Sequence, residues 1–503
     1  MTSTHLRDFV CHRLLWMLLL LFPLSLTSCL DDVEYSNSPA DLVFFSTDTL
    51  RMDTVISGKP SSYMTMKVYN PNGKAIRFSD INLECGIENS PFKVNIDGEP
   101  LTELTRTAHE INSKDSMFIN VMVNIPEEDL DDPYAVSDKL TFTTEGGAVQ
   151  KVVLEAAGQT VINLNGLRVS ENMTLDATRP YQIGDSIVVE RGAVLTLAAG
   201  TKLFFAPDAS LIVHGSLHVE GELGKTVMMR GNRLGNMFDG QAYDRIPAQW
   251  GGVVLRETST DNRINFADIH SGMFGILLCP PDHDTDETRL TLENSIVHNT
   301  MHNAVELHAS KVRVGNSQIT NAGGNCVTVR GGDVTFVHCT IARFYVFTGG
   351  NGVALDFTNF SDTDGSPLPL KNLTFTNSII TGYASDEVMG LRAENYPNTE
   401  FNYLFDHSLV NTPLPETPDE HWRNCFQDKE ESTEENVSKQ HNFAPEFDLH
   451  TLFFSFQLNE KSKAVGNADP AVSAATYPTD LLGQPRGTAP DMGCYQHVPE
   501  VKE

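Results

Sequence analysis

The chain has 503 residues, with 36 Lys and Arg against 66 Asp and Glu and a formal charge of −30. That length exceeds what one hydrophobic core usually serves, so at least two domains are expected. The acidic balance, with no basic run, argues against a nucleic-acid partner, and a hydrophobic content of 40% argues against a disordered or collagen-like chain.

Residues 13–28, RLLWMLLLLFPLSLTS, follow Arg7 and Arg13 and form an apolar run too short and too Pro-interrupted for a membrane span. Residues 1–28 read as a signal peptide. The run ends in Leu26-Thr27-Ser28-Cys29, which resembles the lipobox of bacterial lipoproteins. That resemblance implies acylation of Cys29 and a lipid anchor in the membrane. Leu30-Asp31-Asp32-Val33-Glu34 resembles the acidic tag of surface-exposed outer-membrane lipoproteins of Gram-negative, Bacteroidota-type bacteria. Residues 29–40 then act as a tether. The later cysteines, Cys85, Cys279, Cys326, Cys339, Cys425 and Cys494, match no CxxC or Cys/His framework. No zinc site is expected from them, and most read as small buried residues.

From 41 to 161, short runs such as YMTMKVYN, SMFINVMVNI and KLTFTTEGG alternate apolar and polar residues, with turn clusters such as Asn70-Pro71-Asn72-Gly73 between them. This pattern predicts an antiparallel β-sandwich of immunoglobulin-like type. Asp53-Thr54-Val55, Lys67-Val68-Tyr69-Asn70, Ser90-Pro91-Phe92 and Leu154-Glu155-Ala156-Ala157-Gly158 resemble the N-terminal domain of anchored Gram-negative lipoproteins. The resemblance implies a spacer or interaction module.

From 162 to 412 the strands shorten and a repeat emerges. Leu290-x-Leu292 is followed by Val297, Val312-x-Val314 by Ile319, Val334-x-Phe336 by Ile341, and Leu373-x-Phe375 by Ile380, always five residues after the second member. Ile264 with Ile269 and Phe405 with Val410 keep the same step. The second members are 28, 22, 22, 39 and 30 residues apart, so the base turn is 22 residues with insertions in three coils. Three short strands per turn cannot bury their apolar residues alone and must stack on the next turn, which predicts a right-handed parallel β-helix. Asn294, Asn316 and Asn377 at one corner, and Asn299, Asn321 and Gly382 at another, suit left-handed backbone or stacked amides and read as structural. Gln249-Trp250-Gly251-Gly252-Val253 and the terminal run from Asp480-Leu481-Leu482-Gly483 to Gly493-Cys494-Tyr495 resemble the right-handed β-helix family. That family holds pectate lyases, polygalacturonases and other exported proteins, so the resemblance implies a fold and not one chemistry. Trp250 reads as a core ring. Residues 413–445 have the composition of an acidic solvated loop, in which Trp422 is either a contact residue or a dock, and 446–503 form the end segment.

The register places all three insertions at one corner, between Cys279 and Leu290, Leu355 and Leu373, and about Gly390 and Tyr403. Insertions on one face of a solenoid often form its binding face. The residues carried there are Asp282, His283, Asp284 and Asp286, then Phe357, Phe360, Asp362 and Asp364, then Glu394 and Tyr396. Aromatic rings beside acids suit a sugar chain, paired acids suit Ca²⁺, and the same composition also suits solvated loops. Asp362-Thr363-Asp364-Gly365 is only a fragment of a calcium loop. No GxSxG, HExxH, P-loop or dinucleotide fingerprint occurs, nor the motifs of polygalacturonase-like or pectate-lyase β-helices. The expectation is a lipid-anchored, non-catalytic surface protein that binds glycan or another macromolecule. A polysaccharide lyase or glycoside hydrolase, or an adhesion or structural component contacting surface proteins, are the alternatives.

Overall fold

The computed structural model describes residues 33–499 apart from 108, 239, 348–350, 418, 429–440, 445, 446 and 449. The signal segment and Cys29 lie outside the described residues. The chain divides into two compact units, the smaller holding most of the N-terminal antiparallel strands and the larger holding the parallel strands and the C-terminal segment. No helix among the described residues is long and apolar enough to cross a membrane.

The N-terminal strands form two five-stranded sheets. The alternation expected from the sequence is what buries them: Ser116–Val123 turns Met117, Ile119, Val121 and Val123 inward and leaves the residues between partly exposed. Phe45 from one sheet packs on Phe142 from the other, with ring centroids 5.0 Å apart, and Phe78 meets Phe142 edge-on at 5.7 Å. This is the antiparallel sandwich that the alternation predicts.

The remainder is a parallel β-helix. One 11-stranded sheet forms one wall, and a 17-stranded sheet carries two further rows of strands. The repeat read from the sequence is its register: Ile264, Leu292, Val314, Phe336, Phe375 and Phe405 pair in that order, each with the next. Ile269, Val297, Ile319, Ile341, Ile380 and Val410 do the same in the other sheet. Stacking in register turns the last interior positions into an aromatic column, with Phe336 and Phe375 4.4 Å apart, Phe375 and Phe405 5.2 Å apart, and Phe405 and Trp422 4.4 Å apart. Trp422 therefore docks as the last rung, and Trp422–Arg423 and Phe426–Gln427 continue the coil into the stretch that reads as a solvated loop. Trp250 is fully buried, stacked on Phe205 at 4.3 Å, and donates its indole N–H to the His270 carbonyl at 2.8 Å.

The asparagine corners are structural. Asn294, Asn316 and Asn377 all have positive φ, and so does His338, which fills the same corner in the intervening coil. Asn294 donates to Asn265, and Asn316 to Asn294, each at 2.8 Å. One step further, Cys339 occupies a rung otherwise held by Ser317 and Ser378, and its N–H donates to Ser378 Oγ at 3.2 Å. All six described cysteines are free and four are buried, as their reading as small core residues requires.

The C-terminal segment lies on the outward face of the 11-stranded sheet, where Phe443, Phe456, Leu458, Met492 and Tyr495 cover Ala342, Phe344, Ile379 and Leu409. Arg486 is buried there and donates to Asn316 Oδ1 at 2.7 Å and to the carbonyls of Gly493 and Asp491 at 3.0 and 3.2 Å.

Candidate functional site

The corner predicted to carry the insertions does carry them. In the coils between, the chain passes the corner as single long strands, Val305–Gly315 and Val327–Val337. Each bends on residues with positive φ, Ala309 in the first and Gly331 with Gly332 in the second. A Cβ on Gly332 would lie 2.4 Å from the Ser310 carbonyl oxygen, so only glycine fits so tight a stack. In the inserted coils the chain leaves instead between Ile276–Leu278 and Thr288–Glu293, between Leu355–Thr358 and Leu370–Thr376, and between Val388–Leu391 and Phe401–Asp406. Arg289 anchors the first exit: fully buried, it donates to the carbonyls of Ser259, Cys279 and Arg256 at 3.0, 2.7 and 2.8 Å and to Ser310 Oγ at 2.8 Å.

The expected residues do not share one environment. Phe357 is a correction: it is 2% exposed, pairs with Val329 in the strand Leu355–Thr358 and belongs to the interior, because that strand runs further than the repeat suggested before the insertion begins. Asp284 and Asp286 are 93% and 99% exposed, and each has an oxygen 3.9 Å from Lys371 Nζ, on the strand that follows the second insertion. Asp282 pairs with its neighbour His283, while Asp364 accepts the Ser366 N–H at 3.0 Å, and each carboxyl is held below its usual range mainly by that bond. Glu394 and Tyr396 are exposed on the third insertion. Phe360 is half-buried and bridges Pro367 within the second. Asn359 ties the second insertion to the third, donating to the carbonyls of Thr399 and Glu400 at 3.2 and 3.3 Å and accepting the Ala393 N–H at 2.7 Å.

Asp362 folds back over the solenoid: its Oδ2 lies 2.5 Å from Arg330 Nε. Arg330 stands on the outward face of the tight strands, among residues that the sequence reading passed over. Glu306 is in register with Thr328 and then Asp356, and His308 with Arg330 and then Thr358. Arg330 also donates to Asp356 Oδ2 at 2.7 Å, His308 Nε2 is 2.7 Å from Glu306 Oε1, and Asn303 donates to Glu306 Oε2 at 2.8 Å. Burial opposes ionisation of Glu306, but its bonds to His308 and Asn303 outweigh burial and hold its carboxyl below the usual range. Burial likewise works against the Arg330 charge, and Asp356 and Asp362 overcome it. The result is a row of acid, imidazole and guanidinium groups flanked by the inserted chain. The signal for it was present: once Val305, Leu307, Val327 and Val329 are assigned inward, alternation points the residues between them outward.

No protein-family model matches the chain. No curated protein matches it in sequence. Among solved structures, a protein of unknown function from Porphyromonas gingivalis W83 aligns at 10% identity and a TM-score of 0.18, covering 26% of this chain and 51% of that one, so the match spans about half of that protein's length. The ASH/PapD-like domain 7 of human CEP192 aligns at 12% identity and a TM-score of 0.17, over 24% of this chain and 89% of that domain. Dex49A from Penicillium minioluteum aligns at 11% identity and a TM-score of 0.26, over 71% of this chain and 72% of that one.

Proposed function

We propose that the chain is a cell-surface lipoprotein, acylated at Cys29 and held on the outer membrane, whose insertion edge binds a glycan. The observation that carries the binding reading is the return of Asp362 onto Arg330, which joins the exposed insertions to the polar row beneath them as one surface. The exposed acids Asp284, Asp286 and Glu394 suit sugar hydroxyls, and exposed Tyr396 offers a ring for the apolar face of a sugar. Acylation rests on the lipobox-like Leu26-Thr27-Ser28-Cys29 alone.

A second reading is favoured by one feature. Glu306 and Asp356 stand two strand spacings apart, roughly 9–10 Å along the solenoid axis, with His308 and Arg330 beside them. Paired carboxylates of this kind serve glycoside hydrolysis, and a base beside an arginine serves elimination from an acidic sugar.

Both readings meet one experiment. The mature chain, residues 30–503, is incubated with acidic and neutral polysaccharides, with and without Ca²⁺, and retention and new chain ends are scored together. Retention without cleavage, reduced in Asp284→Asn/Asp286→Asn and Tyr396→Ala, supports glycan binding. New chain ends that vanish in Glu306→Gln or Asp356→Asn make the protein an enzyme. Neither result, across the panel, overturns both and points to a protein partner. Labelled fatty acid incorporated by the full chain and lost in Cys29→Ala tests the anchor.

A further inference from the structure

The outward face of the 11-stranded sheet holds a second cluster of chemistry-bearing side chains. Asp268 and His270 alternate on the strand Ala267–His270 and so share one face, while Ile269 between them points into the core. The next coil pairs Ile269 with Val297 and therefore sets His298 beside His270, with the two rings stacked at 4.8 Å and 29°. Asp268 Oδ1 lies between them, 2.9 Å from His270 Nδ1 and 3.2 Å from His298 Nε2.

The protonation that this arrangement demands is informative. Asn299 Nδ2 donates to the Arg245 carbonyl at 2.7 Å, so its Oδ1 is left to accept from His298 Nδ1, also at 2.7 Å. In neutral His298 the proton is then on Nδ1, and the lone pair of Nε2 points at a carboxylate oxygen. Only a second proton or a metal ion makes that contact favourable. The wall holds further unmet atoms: His270, with a side chain 4% exposed, has a buried Nε2 with no hydrogen-bond partner, and Asp244 Oδ1 is buried without one as well. Arg230 faces the same cluster and carries its own counter-charge, Asp244 Oδ2, 3.7 Å from Nη1. All of these except Arg230 line one open cavity of about 330 Å³, whose lining also includes Phe453 and Tyr495 of the C-terminal segment.

We propose that Asp268, His270 and His298 form a site for one divalent transition-metal ion of the zinc type, with its fourth coordination position open to this cavity. The three groups offer one ligand atom each, all within 4.8 Å of one another. A tetrahedral ion with bonds of about 2.0–2.2 Å places its ligand atoms roughly 3.3 Å apart, so the two oxygen–nitrogen distances widen by tenths of an ångström, while the two imidazole nitrogens, up to 4.8 Å apart, draw together and the stacked rings turn towards the ion. Two imidazoles and a carboxylate suit Zn²⁺, Co²⁺, Ni²⁺ or Fe²⁺ better than Ca²⁺ or Mg²⁺. Asn299 supplies the outer hydrogen bond that fixes the His298 ring for such a role. Three protein ligands with a vacant fourth position describe a site that takes water or an exogenous ligand, unlike a closed structural zinc centre. The site is on a different sheet from the insertion edge and stands apart from glycan binding.

The test uses the mature chain stripped with EDTA. Calorimetric titration with Zn²⁺ is expected to give one ion per chain, and Co²⁺ is expected to give the strong visible bands of a four-coordinate site with nitrogen ligands. His298→Gln and Asp268→Asn, with circular dichroism unchanged from wild type, should weaken the binding at least about 100-fold. Asn299→Ala, which keeps all three ligands, should weaken it about 10- to 100-fold. No binding by the wild-type chain, a weak six-coordinate Co²⁺ spectrum, or an unchanged affinity in folded His298→Gln would each overturn the proposal.

Discussion

The insertion edge and the face under the C-terminal segment are built on the same interior column of stacked side chains, yet they are finished in opposite ways. At the edge, each covering loop leaves and rejoins one coil, so its residues are neighbours in sequence of the strands they flank. On the 11-stranded sheet the cover arrives from far along the chain: Met492, Cys494 and Tyr495 pack over Ala342, Phe344 and Ile379. The edge leaves Asp284, Asp286 and Tyr396 in solvent, whereas the covered face lines an open cavity with buried polar groups, His270, Asn299 and Gln318 among them. Local insertion therefore yields loops in solvent, and distant return yields a cavity walled from two parts of the chain.

Each side hangs on one buried arginine, and removing either is the most direct way to break the comparison. Arg289 holds the carbonyls of the first insertion corner, and Arg486 ties the C-terminal segment to Asn316 and to its own Gly493 and Asp491 carbonyls. Leucine at either position would leave several buried acceptors unmet. Each change, Arg289→Leu and Arg486→Leu, is expected to cost about 3–5 kcal/mol in urea unfolding of the larger unit. If the C-terminal segment is only a lid, Arg486→Leu will instead release it to limited proteolysis with the main transition unmoved.

The same contrast decides what the sequence disclosed. The register was legible because inward residues recur at a fixed step, and Ile264 to Phe405 pair as that step requires. The insertion corner followed from it. Phe357 was misplaced because the exit was counted from Leu355, whereas the coil sets Leu355 beside Val327 and Phe357 beside Val329, two residues further on. The polar row of Glu306, His308, Arg330 and Asp356 was legible by alternation, and so was the neighbouring of His270 and His298, since the step that pairs Ile269 with Val297 pairs them too. What no local pattern carries is the second wall of the cavity beside those histidines: Phe453 and Tyr495 reach it only through the return of the C-terminal chain.

A smaller effect sharpens the comparison at the corner itself. His338 occupies a position that is Asn in three other coils, and the C-terminal segment buries it against the Gly493 carbonyl at 3.2 Å and Ser473 Oγ at 2.8 Å. Burial first, and then the charge of Arg486, push its imidazole well below the usual range. Folded His338 therefore stays neutral where the unfolded chain takes up a proton. Its contribution to stability is complete above the unfolded pKa of about 6.5 and declines as pH falls below it, by up to about 2 kcal/mol at pH 5. His338→Asn suits the left-handed corner and does not titrate. Urea midpoints measured between pH 7.5 and 5 should fall less steeply in the variant than in the wild-type chain. Parallel slopes would mean that the C-terminal segment does not enclose this corner in solution.

The smallest expected change in stability belongs to the edge. Asp284 and Asp286 are almost wholly exposed, and their one ion-pair partner among the described residues, Lys371, stands 3.9 Å from each in open solvent. Contacts of that kind are screened and add little to folding. Asp284→Asn/Asp286→Asn is expected to leave the thermal midpoint where it is while reducing glycan retention, a separation that acids placed for a ligand allow and acids placed for the fold do not. A shifted midpoint with unchanged retention would return these carboxylates to the solenoid's own electrostatics and leave glycan contact to Glu394 and Tyr396 of the third insertion.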